Sequence, residues 1–239
     1  MYSFTEQLKN YTRQTEIEKK EKSTVAIEII LPFIMTFITI QFFLAGDYRY
    51  FKFLSIPIIL AMIIFNQKRL HIPASLQGFK PPFWKAPALI ILIPALLLGI
   101  CIVFFGYLQN SISTRIPIPL ILHIAFIGYP IWGMIQQYVL IVYLLPRLNV
   151  FIKKPAYLVI ITASVFSLSH LPNPFLVILT FPAGILFIYF FIRYKNLYIL
   201  GFAHGFIGAL GKFFLPETLT LRFWIGNLIS YSDFINYFK

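Results

Sequence analysis

The spacing of its interruptions constrains this chain more than any other feature. Apolar residues run in blocks of about 15 to 25, each closed by a short charged or proline-rich break, and about 20 apolar residues is the helix length that crosses a hydrocarbon core. Helices in lipid must satisfy their own backbone hydrogen bonds. The fold class expected is therefore all-α, a polytopic transmembrane helical bundle. Composition agrees: 59% of the 239 residues are hydrophobic and 12% are charged, against about 25% charged in an ordinary globular domain.

The blocks predict a polar leader over residues 1–23 followed by one transmembrane bundle over 24–231. Spans are expected at 24–44, 50–65, 86–107, 116–145, 156–171, 174–192 and 197–214, with 218–231 as a short eighth span or an interfacial helix. Six to eight crossings result. The leader reads as a solvated amphipathic or frayed segment on the membrane face. Pro130, just after Gly128, should kink or break the fourth span. Glu28 lies four residues into the first span and reads as a snorkelling helix-end carboxylate, although an intramembrane carboxylate is a functional candidate by default. His71 reads as a loop residue and His123 as a packed or interfacial one.

The net charge of +12 raises the question of phosphate partners. The cations lie in the breaks beside apolar spans, where membrane insertion places them, so the expected partner is the lipid bilayer and not nucleic acid. With the N-terminus inside, fourteen lysines and arginines fall on inner segments and three on outer loops up to the end of the seventh span. That asymmetry predicts a multi-pass integral membrane protein with a cytoplasmic N-terminus. The single cysteine, Cys101, sits in an apolar run, so neither a disulfide framework nor a thiolate metal site is expected.

Against this apolar background three polar positions stand out. Gln136 and Gln137 are adjacent in the fourth span, His170 closes the run Phe166-Ser-Leu-Ser-His, and His204 opens His-Gly-Phe-Ile-Gly208. An amide or imidazole at membrane depth must find hydrogen-bond partners there. At about 1.5 Å per helical residue, Gln137 lies roughly 12 Å from the inner end of its span, His204 about as deep, and His170 roughly 20 Å along its own. The three can converge. Two histidines without a carboxylate or thiolate fall short of the usual three protein ligands of zinc, so no metal and no cofactor is expected. Ser167 and Ser169 beside His170 read as helix back-bonding hydroxyls.

The order of these motifs resembles the CAAX protease and bacteriocin-processing family, the glutamic intramembrane endopeptidases, over a core of about residues 120–215. That family's signature is Glu-Glu-x-x-x-Arg, then Phe-x-x-x-His, then His-x-x-x-Asn, on three successive helices. Phe166 and His170 match the second motif in full, and His204 opens the third. The resemblance implies catalytic positions at Gln136, Gln137, His170 and His204, and substrate-side positions at Phe166 and Gly208. It also implies a membrane-associated peptide or protein as substrate or partner. In the family a glutamate activates water, the histidines assist, and the asparagine helps hold the oxyanion. Here Gln136 and Gln137 replace the glutamates, Ile141 the arginine and Gly208 the asparagine. A glutamine has no usable proton-acceptor pKa. Two readings follow: an endopeptidase acting by a variant route with His170 or His204 as base, or a catalytically silent relative serving as a membrane binding or assembly partner.

Overall fold

The computed structural model describes residues 3–15, 17–39, 52–111, 117–171 and 173–220, and every regular element among them is helical. In chain order these are α1 (Phe4–Gln14), α2 (Lys22–Ile38), α3 (Lys52–Lys68), α4 (Lys85–Leu108), α5 (Ile118–Leu148), α6 (Pro155–Leu168), α7 (Pro174–Tyr194), α8 (Leu197–Phe214) and the short α9 (Glu217–Thr220). Helices α4, α5, α7 and α8 are long and apolar enough to cross a membrane, while Ser55–Lys68 within α3 and Pro155–Leu168 are shorter apolar stretches. The six to eight expected crossings are thus not all present as full-length spans among the described residues. The tail beyond Thr220, the end of the first expected span beyond Thr39 and the start of the second before Lys52 lie outside them.

The helix ends follow from local chemistry. Ser3 and Glu6 form a capping box on α1, each side chain accepting the other's backbone N–H. Asn173 and Asn196 cap α7 and α8 by accepting from Leu176 N and Ile199 N at 3.0 and 3.1 Å. The turn between α7 and α8 is only Lys195 and Asn196, with Lys195 left-handed at φ 48°.

Prolines account for the irregularities. Three π-helical stretches, Ala88–Leu92, Ile124–Gly128 and Tyr138–Leu144, each end two residues before a proline, namely Pro94, Pro130 and Pro146. A proline inside a helix has no N–H and its ring crowds the carbonyl four residues back; one widened turn relieves that clash. Where a kink or break is expected at Pro130, the helix carries a π turn and α5 runs on through it.

The main core gathers Leu8 and Tyr11 of α1, Leu140, Ile141, Val142, Leu144 and Leu145 of α5, and residues of α6, α7 and α8. A second cluster joins Ile121 and Ala125 of α5 to Phe206, Leu210 and Phe214 of α8. The leader is not simply solvated: the apolar face of α1 is docked, with Leu8 and Tyr11 fully buried, because a helix with one apolar stripe gains most by packing it. Glu28 also departs from its expected role. It is 9% exposed and accepts from Arg147 Nε at 2.9 Å and from Lys20 Nζ. Arg147 is fully buried, with its guanidinium 3.7 Å over the Tyr143 ring. The first described apolar helix and the C-terminal end of α5 are thereby joined by an ion pair between residues 119 positions apart.

Candidate functional site

Glycines set the site by letting α5 and α8 touch backbone to backbone. A Cβ on Gly133 would lie 2.6 Å from the Gly201 carbonyl, one on Gly201 would lie 2.6 Å from Met134 Cα, and one on Gly205 would overlap the Tyr129 carbonyl. Only hydrogen fits at such an approach, the usual device for close helix packing in lipid. Gln137 follows Gly133 by four residues and so shares its buried face. His204 lies between Gly201 and Gly205 on α8. The glycine contacts bring α5 and α8 close enough for the amide to reach the imidazole, and Gln137 Nε2 sits 2.8 Å from His204 Nδ1.

An amide NH2 can only donate, so His204 accepts at Nδ1 and carries its proton on Nε2. His170 has the opposite polarity. Its Nδ1 lies 2.8 Å from the Phe166 carbonyl, and a carbonyl can only accept. His170 Nδ1 is therefore protonated, and in the neutral imidazole Nε2 keeps the lone pair. Two neutral histidines thus present one donor and one acceptor. The Phe166 ring stands edge-on to both, its centroid 5.0 Å from His170 and 5.6 Å from His204, so the imidazoles lie no further apart than the sum of those distances. Phe187 of α7 stacks on His204 at 5.2 Å, and Thr180 Oγ1 approaches His170 Nδ1 at 3.5 Å.

The structure therefore brings together Gln137, Phe166, His170 and His204. Gln136 is half-buried and makes no side-chain hydrogen bond to the described residues. Gly208, one turn beyond His204, faces Tyr129, whose ring lies 3.7 Å from the position of an added Cβ, so a side chain fits there. Ile141, where the family arginine would be, is fully buried in the main core. The fully buried Gln137 Oε1 has no hydrogen-bond partner among the described residues, a costly omission in a low-dielectric interior. Ser169 back-bonds to the Phe166 carbonyl at 2.7 Å as expected, whereas Ser167 reaches across to the Val177 carbonyl of α7 at 2.6 Å. His71 lies exposed in its loop, and His123 is on an exposed face of α5 away from the cluster.

Sequence reasoning missed Phe187 and Thr180. A phenylalanine is no signal in a chain with 27 of them. Thr180, a hydroxyl in an apolar run ten residues after His170, carried a faint one. The chemistry is bounded by charge. No aspartate or glutamate occurs between residues 48 and 216. Among the described residues no three His, Cys, Asp or Glu side chains gather in a way that could hold a metal ion. What remains is a neutral, apolar-walled site able to give and receive hydrogen bonds.

A family model described as Type II CAAX prenyl endopeptidase Rce1-like matches residues 86–210, a stretch that holds every one of these site residues. No curated protein and no solved structure matches the chain.

Proposed function

Because this chain belongs to the Type II CAAX prenyl endopeptidase Rce1-like family, we propose that it is an intramembrane endopeptidase relative that keeps the peptide-holding frame and has lost hydrolysis. One observation carries the reading: the family match contains no carboxylate anywhere, and an amide, Gln137, stands in hydrogen-bond contact with His204. Peptide hydrolysis by this family's route needs a base that takes a proton from water, and glutamine cannot take it. Glu28 is no substitute, since Arg147 and Lys20 both engage it.

The remaining groups suit binding. A peptide group offers one N–H and one C=O; the acceptor at His170 Nε2 and the donor at His204 Nε2 complement that pair, and neither carries a charge that lipid would penalise. Phe166 and Phe187 supply apolar walls for flanking side chains. The ligand class is a membrane-associated peptide or protein segment. The N-terminus is assigned to the cytoplasmic side on the charge bias alone.

A second reading is favoured by the His170 lone pair: an endopeptidase in which His170 acts as base without a carboxylate. One assay separates the two. The purified chain in lipid nanodiscs is incubated with a panel of membrane peptides, beside His170→Ala and a variant restoring Gln136→Glu, Gln137→Glu and Gly208→Asn. Binding without cleavage by the native chain, with cleavage gained in the restored variant, is the expected result. Cleavage by the native chain that disappears in His170→Ala refutes the silent reading.

A further inference from the structure

The segment that follows Gln137 is unusual in where its carbonyls find partners. Over the π stretch Tyr138–Leu144, three consecutive carbonyls accept from side chains. Tyr11 Oη of α1 donates to Ile141 O at 3.4 Å, Gln67 Nε2 of α3 to Val142 O at 3.2 Å, and Arg147 Nη1 to Tyr143 O at 2.9 Å. The middle bond has a covalent cause. Val142 is the residue four before Pro146, so in an α-helix its carbonyl would look for an N–H that proline lacks. Gln67 supplies the missing donor. The reciprocal arrangement occurs in α2: Pro32 orphans the Glu28 carbonyl, and Tyr143 Oη donates to it at 2.6 Å. Gln67 Oε1 in turn accepts from Arg147 Nη1 at 2.8 Å, and Arg147 Nε binds Glu28.

Two of these donors, Tyr11 of α1 and Gln67 of α3, lie outside residues 86–210, the family match, as does Glu28 of α2, the acceptor that anchors Arg147. The two ends of the π stretch are held by different means. Towards the N-terminus, the glycine contacts of Gly133 with α8 fix the angle of α5. Towards the C-terminus, the buried Arg147–Glu28 pair fixes it. The widened turn between takes up the difference, and one residue of helical register is worth about 100° of rotation.

We propose that Tyr11, Gln67 and Arg147 form a register lock: by holding the π turn at Tyr138–Leu144 they set the rotation that points Gln137 at His204. They are positioning residues, acting through the helix that carries the glutamine. If the lock is loosened, the segment rewinds towards α geometry and the two sides of α5 turn relative to each other, so the part that ends at Gln137 steps against α8 and the amide leaves the imidazole. The proposal is independent of whether the site binds or cuts, because its readout is the Gln137–His204 bond itself.

The test uses the full chain, labelled with 15N-histidine, in lipid nanodiscs, with the His204 resonances assigned by His204→Gln. The native chain should show His204 with an unprotonated, hydrogen-bonded Nδ1 and a protonated Nε2. Gln67→Met, which keeps the length of the side chain and loses both its bonds, should abolish that signature while the chain stays folded by circular dichroism. Tyr11→Phe, which removes a single hydroxyl, should weaken it and guards against a Gln67 variant that fails to fold. Ser111→Ala is the control: Ser111 Oγ donates to the Phe214 carbonyl at 2.6 Å, tying α8 down away from the lock, and its loss should leave the signature intact. An unchanged His204 spectrum in both Gln67→Met and Tyr11→Phe overturns the proposal. So does equal loss in Ser111→Ala, which would mean that general loosening, not register, controls the bond.

Discussion

Glu28→Gln is the sharpest test of the buried ionic centre. The substitution keeps the shape of the side chain and removes its charge, leaving the fully buried Arg147 guanidinium without a counterion. Breaking a buried pair from one side costs about 3–5 kcal/mol, because the stranded charge stays desolvated. Glutamine can still accept one hydrogen bond through Oε1, which places the expected loss at the lower end, about 3 kcal/mol. For a chain of this size that corresponds to a fall in Tm of roughly 6–12 °C. Lys20 is the internal comparison. It binds the same carboxylate but is 23% exposed, so Lys20→Met should cost about 1 kcal/mol or less. The double variant Glu28→Gln/Arg147→Met should recover part of the loss, since removing both charges leaves none stranded, and the cycle should give a coupling of about 2 kcal/mol or more. Thermal and denaturant unfolding in one detergent, followed by circular dichroism, measures the native chain, Lys20→Met, Glu28→Gln, Arg147→Met and the double variant. A Glu28→Gln loss no larger than that of Lys20→Met, or a double variant as unstable as the two singles added, would refute the reasoning.

Further predictions concern packing, capping and titration. Gly205→Ala should drive α5 and α8 apart, because the new Cβ meets the Tyr129 carbonyl, whereas Gly208→Ala should be tolerated with its nearest neighbour at 3.7 Å; crosslinking between cysteines placed on α5 and α8 reads the difference. Asn173→Ala removes both the cap of Leu176 N and the 2.9 Å bond to the Thr220 carbonyl, and should cost about 1 kcal/mol for the cap while releasing α9 to proteolysis. Lys195, in the turn between α7 and α8, has its amine 4.0 Å over the Tyr11 ring, and burial pushes its pKa down from 10.5 to about 7. The undocked amine binds more protons than the docked one between those values, so docking of α1 should strengthen as pH rises from 7 to 10.5 and stay flat below 7, with a slope of at most about 1.4 kcal/mol per unit. Tryptic cleavage at Arg13, taken relative to cleavage of an unstructured peptide at the same pH, checks this at pH 7 and pH 9: a higher relative rate at pH 9 would contradict it.

The helical class and the three motif positions were legible in the sequence because they rest on local quantities. An apolar block of spanning length must be helical in lipid, and a polar side chain inside such a block stands out wherever it points. Depth along the helix follows from a constant rise, and the 2.8 Å approach of Gln137 to His204 agrees with that arithmetic. The prolines that widen α5 were visible too, although a widened turn and a break are told apart only by what neighbours offer the orphaned carbonyl. The carboxylate-free stretch was also present in the letters. It says what chemistry is missing before any fold is known.

Tertiary structure decided the rest. Whether Glu28 is a surface decoration or a buried counterion depends on Arg147, 119 residues away, and pairwise charge energy depends on separation and burial, neither of which a linear chain records. The docking of α1 through Leu8 and Tyr11 likewise requires the face it covers. The polarity of the two histidines depends on the atoms opposite each Nδ1, an amide NH2 for His204 and a backbone carbonyl for His170. The sequence marked Gln137 as a neutral group in the family's carboxylate position; only the packed bundle shows which proton it leaves on its neighbour, because a tautomer is set by geometry at the scale of one hydrogen bond.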